Sequence, residues 1–323
     1  MMKKLLLFVL VLIMITTGIP FLIVRGLYKK TDNVGVNNEI ISVYIKNEDR
    51  VCDMEVEQYI KEVTAAEMPA DFFSEALKAQ AVAARTYLVN RVRAYQKSEI
   101  PKEHKGALIC TDSTHCKAWT SEEKKKEQWG EDADKNWEKI SDAVDETNSI
   151  IITYDNQPIS AVFHSTSSGF TENAKDVWGW DVKYLVSVKS EGDEVSPKFN
   201  SEAEFSFEEY KRIAEENIEG INWDFGLFGD IERSEAGGIK TITVGGVTVK
   251  GSDFRFMYGL RSTNIEIEIL ESSIKMYVKG YGHGVGMSQY GANYLAEQGK
   301  NYEDILKTYY KGVKISKINS IFE

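Results

Sequence analysis

The sequence predicts an α+β fold in which an N-terminal membrane anchor precedes a core of helices and β-hairpins, with a smaller β-rich subdomain inserted into that core. Three observations predict it: an uncharged apolar run near the N-terminus, helical spacing of apolar residues after position 56, and later runs of alternating β-branched residues between turns. We expect the anchor over residues 1–30, the core over 31–189 and 271–323, and the inserted subdomain over 190–270.

The anchor is predicted from residues 5–24, a stretch without a charged side chain that is about as long as a bilayer core is thick. No clear small-x-small cleavage site follows it, which favours an uncleaved signal anchor over a removed signal peptide. Basic residues lie on both sides of this stretch, so charge alone does not decide its orientation.

Composition argues against one large class of partners. The formal net charge is −11, whereas nucleic-acid binding needs a basic face, so we expect no nucleic acid as a partner. Three cysteines do not describe a small domain held together by disulfides, and a chain of this length can bury an adequate apolar core without them.

A helix is predicted from Val56 until Pro69 ends it, because the residue before a proline avoids helical geometry. Glu67 lies in its last turn or just beyond. The negative end of the helix dipole and burial beside Met68 and Phe72 both disfavour an ionised carboxylate, so the pKa of Glu67 should be raised. A raised pKa suits a general acid. The alternative is an exposed glutamate that ends a helix.

The next predicted helix begins near Ser74, and Arg85 interrupts its apolar tract. Arg85 is either a surface arginine with a buried stem or a residue that faces Glu67 or a ligand. Farther along, the strands "SIIITYD" and "ISAVFHSTSSG" predict a hairpin that brings His164 and Ser165 to a loop, where binding residues are common.

Two glycine-containing segments follow. The segment "IKTITVGGVTVKGSDF" predicts a tight hairpin within the inserted subdomain. The segment "GYGHGVGMSQYGANYLAEQGK" places His283 between two glycines, and we expect a helix to begin at Gly286. It has neither the Walker lysine nor a dinucleotide fingerprint, so we reject nucleotide binding. Glycines allow close approach of a polar ligand to His283, with Ser288 and Gln289 nearby; the alternative is a tight turn with an incidental histidine.

Four potential metal ligands lie within thirteen residues: His104, Cys110, His115 and Cys116. Two thiolates and imidazoles suit zinc, although the spacing of the cysteines is wider than in most zinc motifs. A disulfide between Cys110 and Cys116 is the alternative outside the membrane. We expect Cys52, on a predicted strand, to be a core residue.

Several motifs together resemble the stage II sporulation protein D family. They are "EVEQYIKEVTAAEMP", "EALKAQAVAARTY", "FHSTSSGFTENAKDVWG", "YLVSVKSEGDE", "GLRST" and "GYGHGVGMSQYGA". The resemblance implies a membrane-anchored lytic transglycosylase of spore-forming bacteria that acts on peptidoglycan glycan strands during engulfment. A partner amidase and a membrane protein are implied as well, and the bulk of the chain should face the space outside the mother-cell membrane.

The resemblance also assigns roles. It implies that Glu67 is the catalytic residue, that Arg85 supports the site, and that zinc binds at the cysteine pair. We expect a substrate cleft in which other polar residues bind sugar hydroxyls, acetamido groups or the lactyl carboxylate: His164, Ser165, Tyr184, Lys189, His283, Ser288 and Gln289. Trp178 and Tyr281 are candidate aromatic faces for sugars.

Two other functions remain open from the sequence. Related domains outside sporulation enhance amidases, so this chain could be a non-catalytic module that binds peptidoglycan. A zinc amidase would need an open, histidine-rich metal site, and no H-E-x-x-H motif is present.

Overall fold

The computed structural model describes residues 39–322 and confirms the mixture of helices and sheets that the sequence predicts. The predicted anchor lies outside the described residues. Among residues 39–322, none of the helices combines the length and the apolar character needed to span a bilayer.

The chain alternates short strands with helices of very different lengths. The helices are α1 (Val56–Glu67), α2 (Ser74–Tyr95), α3 (Glu122–Trp129), α4 (Ala133–Glu146), α5 (Ala174–Trp178), α6 (Phe207–Asn217), α7 (Gly251–Met257), α8 (Gln289–Glu297) and α9 (Tyr302–Tyr309). The strands are β1 (Ile40–Ile45), β2 (Arg50–Glu55), β3 (Ile109–Cys110), β4 (Ile150–Tyr154), β5 (Gln157–Pro158), β6 (Phe163–His164), β7 (Asn200–Ser206), β8 (Phe228–Arg233), β9 (Ile239–Val244), β10 (Val247–Lys250), β11 (Asn264–Ile269), β12 (Ser273–Lys279), β13 (Met287–Ser288) and β14 (Lys314–Lys317).

Helix α2 is the central helix of the core and contacts α1, α4, α8 and α9. It tolerates neighbours on several sides because its alanines at 76, 79, 81, 83 and 84 are almost fully buried and let other backbones approach closely. Ser74 is its first helical residue, and Phe73 takes the extended capping position before it. Helix α1 ends where predicted, because Met68 is extended ahead of Pro69.

Two hairpins in the core turn through left-handed residues. Strands β1 and β2 pair antiparallel, with Asp49 at φ 50° in the turn. Strands β4 and β5 pair across Asp155 and Asn156, which have φ of 49° and 60°. The second differs from the prediction, because β4 pairs with β5, whereas His164 lies on β6, which belongs to a different sheet. Positive φ at both central positions defines the turn type that matches the twist of a hairpin.

A third apolar cluster lies apart from the two that surround α1 and α2, and its members come from residues 203–278. It contains the sheet β11-β12-β7 and the sheet β10-β9-β8, with α6 and α7 packed against them. The predicted tight turn joins β9 to β10, with Gly245 at φ 52° and Gly246 at φ 83°.

A short parallel pairing positions the glycine-rich segment. Strand β13 pairs with β6 so that Ser288 lies opposite His164 and Met287 opposite Phe163. Helix α8 begins at Gln289, after the Ser288 hydroxyl that caps it, and not at Gly286 as the sequence suggested. Gly286 instead has φ 76° and lies so close to the carbonyl oxygen of Val162 that a side chain there would collide with it.

Candidate active site

Glu67, the last residue of α1, is partly buried and lines a groove. The backbone N–H of Ala118 donates a hydrogen bond to Glu67 Oε1 over 3.0 Å. Burial raises the pKa of Glu67 above its ordinary value of 4.5, whereas the Lys117 charge, the Ala118 amide and the Gln289 side chain act in the opposite direction. The raised pKa agrees with the direction that the sequence predicts.

Two cavities meet at Glu67. One has an empty volume of about 1360 Å³, open to solvent, and the other about 610 Å³. Both are lined by Glu67, Ser165, Lys198 and Gln289. Glu67 is the only carboxylate among the described residues that line either cavity. We call the two together the Glu67 groove.

Besides His115, two histidines line the larger cavity, His164 and His283, with ring centroids 5.7 Å apart. The Val285 carbonyl lies 3.2 Å from His164 Nδ1 and accepts its proton, which leaves Nε2 of His164 buried without a hydrogen-bond partner. Conversely, the Val285 N–H donates to Nδ1 of His283, so Nε2 of His283 carries the proton. Burial lowers the pKa of His164 to about 4 and that of His283 well below its ordinary value. His164 therefore offers a neutral acceptor, whereas His283 is bonded to the backbone of Val285 and of Phe163.

Close packing of the glycine-rich loop holds these rings in place. Gly282 has φ 117°, and a side chain at this position would approach the Cβ of His164 to 2.7 Å. Glycine is therefore required both for the backbone conformation and for the contact.

Lys117 is a groove residue that the sequence did not reveal. It is nearly buried, with its ammonium 3.8 Å from the Phe163 ring centroid and 4.6 Å from that of Tyr87. Burial lowers the pKa of Lys117 to about 8, although the Glu67 carboxylate favours its charged form. In the sequence Lys117 is one of 39 basic residues, and no motif distinguishes it.

Aromatic rings form the walls of the larger cavity. The Trp178 ring lies 5.0 Å from the His283 ring and 5.6 Å from that of Trp180, which is 61% exposed. Tyr281 lines the same cavity, with the Lys198 ammonium 5.1 Å from its ring centroid. Exposed rings beside cations and neutral polar groups suit the binding of a sugar.

Arg85, expected to support the site, lies elsewhere. Its side chain is fully buried and makes a two-pronged pair with Glu57, from Nε to Oε1 over 2.8 Å and from Nη2 to Oε2 over 2.6 Å. It also donates to the carbonyls of Val144 and Ile150. Because every side of the guanidinium is occupied by the protein, Arg85 holds α1, α2 and α4 together and does not line the Glu67 groove.

Three other expected ligands also have partners outside the groove. The Tyr184 hydroxyl accepts from the Ser160 N–H over 3.0 Å, and exposed Lys189 pairs with Glu191 over 2.5 Å. Ser288 is fully buried, donates to Asp193 and caps α8. Of the residues that the sequence nominated for substrate binding, His164, Ser165, His283 and Gln289 line the groove.

The four residues nominated for a metal converge beside the groove. Their ligand atoms all lie within 4.8 Å of one another. His104 Nε2 is 3.1 Å from His115 Nδ1 and 3.3 Å from Cys116 Sγ, and Cys110 Sγ is 3.5 Å from His115 Nδ1. Tetrahedral zinc with bonds of about 2.1 Å to nitrogen and 2.3 Å to sulfur would separate its ligand atoms by about 3.3–3.8 Å. This donor set therefore fits zinc.

Two further contacts suit a metal site. The Ala107 carbonyl lies 3.2 Å from His104 Nδ1, which leaves Nε2 directed at the other ligands, an arrangement typical of metal-binding histidines. The hydrogen bond between the two thiols lowers the pKa of Cys116 to about 7, toward the thiolate that a metal needs, and raises the pKa of Cys110. The thiols of Cys110 and Cys116 are free and not joined as a disulfide.

Comparison with known proteins identifies relatives over most of the chain. A family model described as Stage II sporulation protein matches residues 44–154. Stage II sporulation protein D of Bacillus amyloliquefaciens is 41% identical over 281 residues, which cover 87% of this chain and 79% of that protein; the Bacillus subtilis protein of the same name is 39% identical over 280 residues, covering 87% and 80%. The amidase enhancer of Bacillus subtilis is 26% identical over 311 residues, covering 80% of this chain and 40% of that protein. With this identity and coverage, the chain belongs to the stage II sporulation protein D family, as its motifs predict.

Proposed function

We propose that this protein is a lytic transglycosylase that cuts the bond between N-acetylmuramic acid and N-acetylglucosamine in peptidoglycan strands, with Glu67 as its single acid and base. One observation carries the proposal. Glu67 is the lone carboxylate among the described groove residues and lies where two cavities meet, so a strand could occupy both sides of it.

The first step breaks the glycosidic bond. Protonated Glu67 donates its proton to the glycosidic oxygen, the bond between this oxygen and C1 breaks, and N-acetylglucosamine leaves with a new hydroxyl. Positive charge then develops at C1 of N-acetylmuramic acid. The raised pKa of Glu67 keeps a larger fraction of the acid protonated than an exposed glutamate would have.

The second step returns the proton. The 6-hydroxyl of the same N-acetylmuramic acid attacks C1, and the Glu67 carboxylate removes its proton as the 1,6-anhydro ring closes. Glycosidases that transfer to water usually need two carboxylates, because one of them must activate water or act as the nucleophile. An intramolecular hydroxyl removes that need, and a groove with one carboxylate is consistent with this chemistry.

Other groove residues would bind and orient the strand. Nε2 of His164, which has no protein partner, accepts a hydrogen bond from a sugar hydroxyl or amide, and the His283 ring lies beside it. Lys117 stabilises the carboxylate that remains after the first step. Ser165 and Gln289 supply neutral polar groups at the junction of the two cavities.

Zinc, we propose, binds to His104, Cys110, His115 and Cys116. Four protein ligands would make the site closed and structural, so zinc would supply a cross-link and no reacting group. His115 and Cys116 also line the groove, and Ala118 follows two residues later. The metal would thus fix the loop that carries Lys117 and the amide bound to Glu67.

We further propose that an uncleaved helix within residues 1–30 anchors the protein in the cell membrane, with the rest of the chain between the mother-cell and forespore membranes. There it would act in engulfment with a partner amidase and a membrane protein. Amidases that remove stem peptides would supply strands on which this protein acts, and the similarity to an amidase enhancer supports a place in that chemistry.

The same similarity favours a second candidate, a non-catalytic module that binds glycan strands and enhances an amidase. One experiment separates the two. The protein is incubated with glycan strands that lack stem peptides, and the products are analysed by mass spectrometry for 1,6-anhydro ends. The proposed enzyme forms these ends and Glu67→Ala does not. Identical spectra from the two proteins would refute the enzyme and favour the non-catalytic binding module.

A further inference from the structure

A second cavity shares Trp178 with the catalytic groove, and we call it the α5 cavity. Its empty volume is about 740 Å³, open to solvent. Lys175 and Trp178 of α5 form one wall, and the opposite wall comes from β9 and from Lys250 at the end of β10. It therefore lies between the core and the β-rich region of residues 203–278.

Two lysines of this cavity lack a carboxylate partner. Lys175 and Lys250 are exposed, and neither forms a salt bridge with any residue between 39 and 322. Lys240, the third lysine of the cavity, is different, because it pairs with Glu232 over 2.6 Å and with Asp176 over 3.5 Å. On a chain with a net charge of −11, two unpaired cations in one cavity are a local reversal of charge.

The α5 cavity adjoins the catalytic groove. Trp178 lines both spaces, so its indole is a shared wall. A small cavity between them shares Glu172 and Thr263 with the α5 cavity and His283 with the groove. A linear polymer that extends from the groove across Trp178 would therefore reach a cavity with unpaired cations.

We propose that the α5 cavity binds the lactyl carboxylate of an N-acetylmuramic acid residue remote from the bond that is cut, with Lys175 and Lys250 as its ligands. This inference rests on the proposed function, since it places a second part of the same strand. An amidase that removes a stem peptide frees the lactyl carboxylate, so a stripped strand carries a negative charge on every second sugar. Two lysines that face one cavity match that chemistry.

The remaining groups of the cavity are compatible with a sugar acid. Hydroxyls of Ser252 and Thr241 line it, and the Trp178 ring offers an apolar face. Its two acidic groups have partners within the protein: Asp176 pairs with Lys240, and Glu172 accepts a hydrogen bond from the Gly238 N–H over 3.2 Å.

The test measures binding by isothermal titration calorimetry with the full-length chain carrying Glu67→Gln, so that strands are not cut. Lys175→Gln/Lys250→Gln is compared with Lys300→Gln/Lys317→Gln, a matched control that removes two exposed lysines outside the cavity. Three ligands are used: peptide-stripped strands, the same strands with their lactyl carboxylates converted to amides, and peptide-bearing strands. Circular dichroism establishes that each variant is folded.

We expect Lys175→Gln/Lys250→Gln to bind stripped strands about tenfold more weakly, since each partly exposed ion pair contributes a few-fold. The control pair should bind them unchanged, and the amidated strands should not distinguish the two variants. An equal loss on amidated strands, or no loss on stripped strands, overturns the inference. A loss confined to peptide-bearing strands also overturns it, because the carboxylate would then belong to the stem peptide. Failure of the wild-type protein to form anhydro ends would refute the proposed activity and leave these binding results interpretable.

Discussion

The substitution Glu67→Gln changes one oxygen to an amide nitrogen and removes the proton that the proposed mechanism needs. The carbonyl oxygen of glutamine can still accept the Ala118 N–H bond of 3.0 Å, so the end of α1 should keep its position. A neutral amide is also tolerated by a site that disfavours a charged carboxylate. The variant should therefore fold, bind glycan and fail to cut it.

The expected loss of rate is large because Glu67 acts in both steps. One general acid or base typically contributes about 10²–10⁴-fold to a rate. We expect the rate of strand cleavage to fall at least about 10³-fold, equivalent to about 4 kcal/mol of transition-state stabilisation. Wild-type activity should also decline as pH rises through the raised pKa of Glu67, because the acid must start protonated.

Although Glu67→Gln should lower the cleavage rate, it should raise the stability of the fold at neutral pH. With its folded-state pKa above 4.5, Glu67 loses its proton more readily in the unfolded chain, so wild-type stability falls as pH rises above 4.5. Glu67→Gln has no ionisable group at this position, so its stability does not fall in this way as pH rises. Its thermal midpoint should exceed that of the wild type at neutral pH, and the difference should disappear below pH 4.5.

The assay follows release of 1,6-anhydro ends from peptide-stripped strands by mass spectrometry, across a range of pH. Glu62→Gln is the matched control: Glu62 lies on the same helix, and burial raises its pKa as well, but it contacts Trp119 and does not line the groove. It should retain activity per folded molecule. Wild-type rates in Glu67→Gln, or equal losses in both variants, would refute the assignment of Glu67.

Three further predictions concern the scaffold, the histidines and the metal. Arg85→Met should lower the free energy of unfolding by about 3–5 kcal/mol, because Glu57 is left buried without its partner, and Glu57→Leu in the same chain should restore much of it. Denaturant titration checks this, and a loss of activity with unchanged stability would instead indicate a substrate ligand. Because the folded-state pKa of His164 is lowered to about 4, its contribution to stability should be lost as pH falls from 6.5 to 4, and His164→Asn should flatten that part of the thermal-midpoint profile. Elemental analysis should find about one zinc per chain, as expected for a four-ligand site, and almost none in Cys110→Ser; equal zinc in both would exclude this donor set.

The sequence predicts best those features that depend on neighbouring residues. Pro69 is sufficient to end α1 and thereby to place Glu67, because the constraint acts on the residue just before it. Gly245 and Gly246 similarly specify their turn. The metal-ligand cluster was also accessible, since its four members lie close together in the chain and differ chemically from their surroundings.

Features that depend on distant parts of the chain were not accessible. The partner of Arg85 is Glu57, and a single sequence does not distinguish this carboxylate from the others that an arginine could meet. Lys117 enters the groove because Phe163 and Tyr87 surround it, and these two residues lie on different elements far from it in sequence. A resemblance to a family transfers the position of Arg85 but not the direction in which its side chain points.

The loop after β3 connects two parts of the protein that the sequence presents as separate. Cys116 belongs to the donor cluster, Lys117 is the cation that favours ionised Glu67, and Ala118 donates to Oε1 of that same carboxylate. Three consecutive residues thus join the proposed zinc site to the acid. If zinc holds Cys116, it limits the freedom of the next two residues, so the geometry around Glu67 depends on a cross-link that takes no part in the reaction. Loss of the metal should therefore weaken cleavage through misplacement of Lys117 and Ala118, while Glu67 itself remains at the end of α1.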